Sequence, residues 1–308
     1  MAKDNMEKDK ILTYFSQVIK EDPDISAAVA AIKTLLMFIE LNKLETLSEM
    51  RYRLKDAIST LTETDSSYTS IASGCDLFLR FITLTNLQHS DFQEIQKILV
   101  KRGKIFLERI SNSRQKIAKI ANPFITDGTT ILTHSKSRVV LQVLKEASLT
   151  RKRFKVFVTE SLPDKSGIET CNELTALGIP NTLILDASVG YVMESVDLIL
   201  VGAEGVVESG GIINKIGTFT SAISAKAMNK PFYVVAESFK FVRLYPLNQK
   251  DLPSEYKYPS AVLKSGCDLE QVHPLVDYTP PSYISLLFTD LGVLTPSAVS
   301  DELIQLYQ

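Results

Sequence analysis

The sequence predicts an α/β protein, with an all-helical domain over residues 1–122 followed by a doubly wound, mostly parallel sheet over residues 123–308. Three observations carry this reading. Apolar residues recur at helical spacing as far as Asn122-Pro123, where the pattern stops. Beyond the proline, short apolar β-branched runs alternate with amphipathic stretches, as βαβ units require. Polar residues end each of those runs, at the place where an open parallel sheet collects its functional groups.

In the first region Glu21-Asp22-Pro23-Asp24 punctuates the chain. Ile25, Val29, Ile32, Leu35, Leu36 and Ile39 then form a helical stripe with alanines between them. Ser90-Asp91-Phe92-Gln93 has the spacing of a capping box, so a long helix is expected to start there. Phe92, Leu99, Phe106, Ser113 and Ile120 fall on one sevenfold series, and Gly103, Ile110 and Ile117 on a second. The helix is therefore expected to run unbroken to Asn122-Pro123.

The strand candidates are Thr129–Thr133, Phe154–Thr159, Asn181–Leu185, Leu198–Val201 and Phe232–Val235. Ser137–Ala147 and Ile168–Leu177 are the helices between them. The strand ends read Thr133-His134-Ser135, Thr159-Glu160-Ser161, Asp186, Glu204 and Glu237-Ser238, so these residues should gather at one crevice.

Composition narrows the function classes. The chain has 308 residues, 45% of them apolar and 23% charged, which suits a folded globular protein. Its net charge of −2, from 34 basic and 36 acidic residues, gives no general attraction to nucleic acid or anionic membranes. The charged start Met1–Lys10 is no secretory leader, and no apolar run reaches the roughly 18 residues that span a bilayer. A cytoplasmic protein of the cytosol is expected. Cys75, Cys171 and Cys267, like His89, His134 and His273, lie too far apart for a metal-ligand motif, so no metal is expected and the thiols read as reduced, mostly buried side chains.

The segment Val201–Thr218 follows a buried-strand signature and sets Glu204 and Asn214-Lys215 among glycines, where a ligand can lie against exposed N–H groups. Its glycine spacing matches neither the dinucleotide fingerprint nor the P-loop. Glu204 and Asp186 read as an acid and base pair, against the commoner role of a single strand-end carboxylate in capping the next helix, and Lys215 reads as a phosphate holder. His134 and Ser135 are neighbours on a strand, which sends their side chains to opposite faces and argues against a nucleophile–base pair. No Gly-x-Ser-x-Gly elbow is present. Phe239–Asn248 is rich in aromatic residues and reads as a docking segment, with Phe239 as an anchor and Arg243 at the rim. Tyr283–Asp290 reads either as interface or as domain core.

Three stretches carry a resemblance: Val201–Thr218, Tyr233-Val-Val-Ala-Glu-Ser-Phe-Lys-Phe241, and Leu287-Phe-Thr-Asp-Leu-Gly-Val-Leu-Thr-Pro-Ser-Ala-Val-Ser-Asp-Glu-Leu303. Over nearly its whole length the chain resembles the alpha-type subunits of eukaryotic translation initiation factor 2B. It is more distantly similar to methylthioribose-1-phosphate and ribose-1,5-bisphosphate isomerases. The resemblance implies helices followed by a Rossmann-like domain. Where those isomerases carry a catalytic cysteine and aspartate, this chain has Ser135 and Glu204. A serine hydroxyl is far less acidic than a thiol, and the extra methylene moves the carboxylate, so no catalytic residue is expected. Thr133, Ser135, Asp186, Glu204, Asn214 and Lys215 would line a vestigial sugar-phosphate pocket. No cofactor is implied beyond a sugar phosphate or nucleotide held there.

The resemblance further implies a regulatory homodimer. It would join two sets of beta, gamma, delta and epsilon subunits into a decamer and help recognise the phosphorylated alpha subunit of initiation factor 2 during stress. Thr46 and Arg80 would lie on that recognition face. The rival readings are a working sugar-phosphate isomerase and a free-standing metabolite-binding homodimer.

Overall fold

The computed structural model describes residues 2–22, 24–42, 46–64, 67–83 and 92–307. The chain divides into two compact units. One holds the residues up to Asn112 together with Pro259–Ser265; the other holds Ser113–Tyr258 and Gly266–Leu306.

The first unit is built from helices α1 (Ala2–Glu21), α2 (Ala27–Leu41), α3 (Leu47–Thr62), α4 (Tyr68–Thr83) and α5 (Phe92–Ser111). Ser26 caps α2 by accepting from the Val29 N–H at 3.2 Å. Behind the cap, Ala28, Ala30, Ala31, Ile32, Leu35 and Ile39 are all fully buried, so α2 is apolar around most of its circumference. Such a helix belongs in a core, and α2 packs against α1, α3, α4 and α5. Thr46 caps α3 from outside, its hydroxyl accepting from the Glu49 N–H at 3.1 Å.

The helix expected to run unbroken to Pro123 is interrupted. α5 ends at Ser111 and α6 (Ser113–Ala121) begins after Asn112, which is also where the two units divide. Ser111 Oγ and Asn112 Nδ2 both donate to the Glu108 carbonyl, at 2.8 and 3.2 Å. Polar side chains that compete for a helix carbonyl in this way favour termination. Ser90 and Asp91, the start of the expected capping box, lie outside the described residues.

In the second unit the strands and helices alternate as β1 (Thr130–His134), α7 (Arg138–Leu149), β2 (Lys155–Thr159), α8 (Ser166–Ala176), β3 (Asn181–Ile184), α9 (Val189–Val192), β4 (Leu198–Val201), β5 (Gly205–Val207), β6 (Ile212–Lys215), α10 (Thr218–Ala227) and β7 (Phe232–Val235). There follow β8 (Phe241–Val242), α11 (Ser254–Lys257), β9 (Val276–Thr279), β10 (Leu286–Phe288), β11 (Val293–Leu294) and α13 (Val299–Tyr307), while α12 (Ser260–Lys264), between α11 and β9 in the chain, belongs to the first unit.

The main sheet has the order β11-β10-β7-β4-β1-β2-β3 and is parallel except for the β10–β11 pair. The chain winds outward from β1 through β2 and β3, then returns to β4 and winds the other way, so the order reverses between β1 and β4. Ile117, Val140, Leu144 and Ala147 from α6 and α7 pack against Ile131, Val156, Val158 and Leu200 of the sheet. Burying each such aliphatic side chain contributes about 1.5–3 kcal/mol.

The expected glycine-rich ligand loop after β4 is instead a hairpin of β5 and β6, part of a second sheet in the order β8-β5-β6-β9. Its N–H groups are spent on this sheet: Glu204 donates to Ile213 O, Val207 to Gly211 O, Glu208 to Leu244 O and Ile216 to Leu275 O. Phe239, expected to be a docking anchor, is 1% exposed. An aromatic run entering an inserted sheet looks like an interface from sequence, because both bury rings. Arg243 and Tyr245 are exposed. Leu287 and Phe288 of the Tyr283–Asp290 stretch lie on β10 in the main core.

Candidate functional site

The residues beyond the C-termini of β1, β2 and β3, together with the end of β6, converge into one polar cluster. His134 closes β1 and is 2% exposed. Its Nδ1 is 2.6 Å from Thr159 Oγ1 and its Nε2 2.8 Å from the Ile216 carbonyl. A carbonyl can only accept, so Nε2 carries the proton and Nδ1 accepts from the threonine hydroxyl. Burial holds the His134 pKa below its ordinary value, which keeps the ring neutral and suits that tautomer.

Ser135 follows in the left-handed region at φ 64 and is buried. Its Oγ is 2.8 Å from Ser166 Oγ, at the first residue of α8. Ser161 and Lys165, in the loop between β2 and α8, are also left-handed at φ 59 and 56. Such conformations in residues other than glycine cost on the order of 1–3 kcal/mol and gather where surrounding contacts over-determine the chain. At Ser161 the contacts come from Asp186, which accepts from the Ser161 N–H at 2.9 Å and the Leu162 N–H at 3.0 Å. Asp186 Oδ1 also stands 4.0 Å from His134 Nδ1.

Lys215 ends β6, and its Nζ pairs with Asp164 Oδ2 at 3.1 Å. Asp164 Oδ1 accepts from the Ser166 N–H at 3.0 Å. Burial would raise the Asp164 pKa, but these hydrogen bonds and Lys215 hold it below the ordinary carboxylate value. Asn214 donates to Thr218 Oγ1 at 3.1 Å, and that hydroxyl donates to the Lys215 carbonyl at 2.6 Å, closing the turn into α10. Gly217 sits in this turn at φ 103, and a Cβ there would meet His134 Cε1 at 2.9 Å. Only glycine combines that backbone with so close an approach to the ring.

Asp277 of β9 closes the turn from behind. Its Oδ2 accepts from the N–H groups of Gly217 at 2.8 Å and Phe219 at 3.0 Å, while Oδ1 has no hydrogen-bond partner among the described residues. Burial pushes its pKa up to about 7, against the downward pull of those N–H groups. A second charged group lies beyond β7. Buried Glu237 pairs with Arg114 at 3.2 Å and Lys240 at 2.9 Å. The two cations overcome the upward effect of burial and hold Glu237 below its ordinary pKa. Lys240 also donates to the Ala203 carbonyl at 2.8 Å, fixing the peptide that leads into Glu204.

Of the expected pocket residues, Ser135, Asp186, Asn214 and Lys215 are linked through these contacts. Thr133 is buried on β1 opposite Val158, and Glu204 is half-buried at the mouth of the β5–β6 hairpin. Thr46 and Arg80 belong to the other unit, Thr46 as the exposed cap of α3 and Arg80, half-buried, in the last turn of α4. Sequence reasoning passed over Asp164, Ser166 and Asp277. Pro163-Asp164-Lys165-Ser166 does carry the turn chemistry that places an Asp two residues ahead of an N–H. Asp277 is betrayed by a carboxylate inside the run Val276-Asp-Tyr-Thr279.

This arrangement can hold an anionic ligand at Lys215 and hydroxyl groups against Ser135 and Ser166. No group of His, Cys, Asp and Glu among the described residues is placed to bind a metal ion. The sequence pattern of the initiation factor 2 subunit family matches residues 20–296. Translation initiation factor eIF2B subunit alpha of Caenorhabditis elegans is 43% identical over 305 residues, covering 98% of this chain and all of that protein. Ribose 1,5-bisphosphate isomerase of Archaeoglobus fulgidus is 31% identical over 272 residues, covering 86% of this chain and 83% of that enzyme. The crystal structure of translation initiation factor eIF-2B from Pyrococcus horikoshii OT3 matches with a TM-score of 0.71 at 28% identity, covering 93% of this chain and 97% of that one. With the fold, the strand-end cluster and these likenesses in agreement, the chain belongs to the initiation factor 2 subunit family.

Proposed function

We propose that this chain is a non-catalytic regulatory subunit of the guanine-nucleotide exchange factor for translation initiation factor 2, working in the cytosol. It acts as a homodimer that bridges two sets of beta, gamma, delta and epsilon subunits into a decamer. Its N-terminal helices, with Thr46 and Arg80, help read the phosphorylated alpha subunit of initiation factor 2 in stress. Arg243, exposed beside Tyr245, contributes to partner contacts. The strand-end cluster keeps a sugar-phosphate or nucleotide pocket that stabilises the assembled state without turning ligand over.

One observation carries the non-catalytic part. Ser135 stands at the strand end where proton-transfer chemistry needs an acidic group, and its hydroxyl is engaged with Ser166 while both nitrogens of neighbouring His134 are spent on Thr159 and Ile216. A serine held this way has no activating base in His134. The sequence likeness to ribose 1,5-bisphosphate isomerase favours the rival reading, a working isomerase. The two are separated by incubating purified protein with ribose 1,5-bisphosphate and following product over many equivalents. The expected result is no turnover. Multiple turnovers that disappear in Glu204→Gln would establish the isomerase instead.

A further inference from the structure

We propose that Asp164 is a built-in competitor for the anion-holding end of the pocket: its carboxylate pairs with Lys215 and must withdraw before a phosphomonoester can take that ammonium. The inference rests on the pocket reading given above and adds a regulatory step to it. Asp164 joins two donors at once, the Lys215 ammonium at 3.1 Å through Oδ2 and the Ser166 N–H at 3.0 Å through Oδ1. An ammonium beside a backbone N–H is the donor set that a phosphate oxygen seeks. A carboxylate of the chain itself fills it.

The contact is built to be broken. The side chains of Lys215 and Asp164 are 33% and 39% exposed, so the pair is partly solvated and holds weakly. The loop backbone is held at both ends, by Asp186 on Ser161 and Leu162 and by the Lys165 N–H on the Ser161 carbonyl at 2.9 Å, while Leu162, Pro163, Asp164 and Lys165 are exposed, so a rotation of the Asp164 side chain away from Lys215 opens no core. A dianionic phosphate attracts Lys215 more strongly than a monoanionic carboxylate does, and once seated it repels Asp164. Neutral sugars lack the charge to displace it. The pocket therefore selects for phosphorylated ligands by exchange rather than by an unoccupied cation.

The test titrates inorganic phosphate and ribose 5-phosphate by calorimetry onto the full chain as wild type, Asp164→Asn, Lys215→Met and the double variant. Asparagine retains an oxygen for the Ser166 N–H and removes the charge; Asp164→Ser serves if the first substitution does not fold. The expected result is binding about 2- to 5-fold tighter in Asp164→Asn, on the scale of a partly exposed ion pair, with the gain absent in the Lys215→Met background. Binding by wild type that is equal or weaker in Asp164→Asn overturns the competitor and leaves the pocket standing. So does a gain that survives Lys215→Met. Absence of binding in both wild type and Asp164→Asn overturns the pocket and the competitor together.

Discussion

Asp277 shows how a single buried carboxylate can report the state of the site. Its proton is held up to about 7 in the folded chain against an ordinary value of 3.8. Between these two values the unfolded chain has lost the proton and the folded chain still binds it, so stability is fully present at the acid end and declines as pH rises toward 7. Each pH unit across that window is worth at most about 1.4 kcal/mol. Asp277→Asn keeps one oxygen for Gly217 and Phe219 and cannot titrate. Denaturant melts at pH 4.5, 6 and 7.5 should therefore show wild type losing stability relative to the variant as pH rises. A constant difference would place Asp277 outside that linkage. At this scale the sequence was partly legible. Lys215, Asp186 and Ser135 were visible because strand ends gather polar groups, while Asp164 and Asp277 reach the cluster from a loop and from a distant strand that periodicity does not pair.

Elements were easiest to read where one pattern decided them. β4 and β7 coincide with their apolar runs, and Ser137 at the start of the expected helix is the cap of α7, accepting from Val140 N–H at 3.4 Å. The inserted sheet was not legible, since β5 and β8 are only three and two residues long and pair with each other across a long crossover. The break at Asn112 was missed because the sevenfold series continues across it: Ile110 and Ile117 are both buried, on different helices. Thr46 acquires an element-level role, because its hydroxyl caps α3 whatever else it touches. Thr46→Ala is expected to cost about 1 kcal/mol in chemical denaturation, and Thr46→Ser to restore most of it. A stable Thr46→Ala that no longer binds the phosphorylated alpha subunit would show that recognition, not capping, is its main work.

For the molecule as a whole, the helical unit and the Rossmann-like sheet are ordinary scaffolds, and what they are used for resides in surfaces and in the strand-end cluster. The fold class was legible because the switch from helical to strand periodicity is abrupt. The proposed assembly was legible only through resemblance, since a ring destined for a core and one destined for a partner look alike in sequence, as Phe239 shows. The central claim is that this chain works by joining other proteins. It is tested most directly by native mass measurement of the purified chain, alone and mixed with beta, gamma, delta and epsilon subunits. The account predicts a dimer alone and, in the mixture, one complex holding that dimer and two copies of each partner. A chain that stays monomeric and leaves the partner masses unchanged would contradict it.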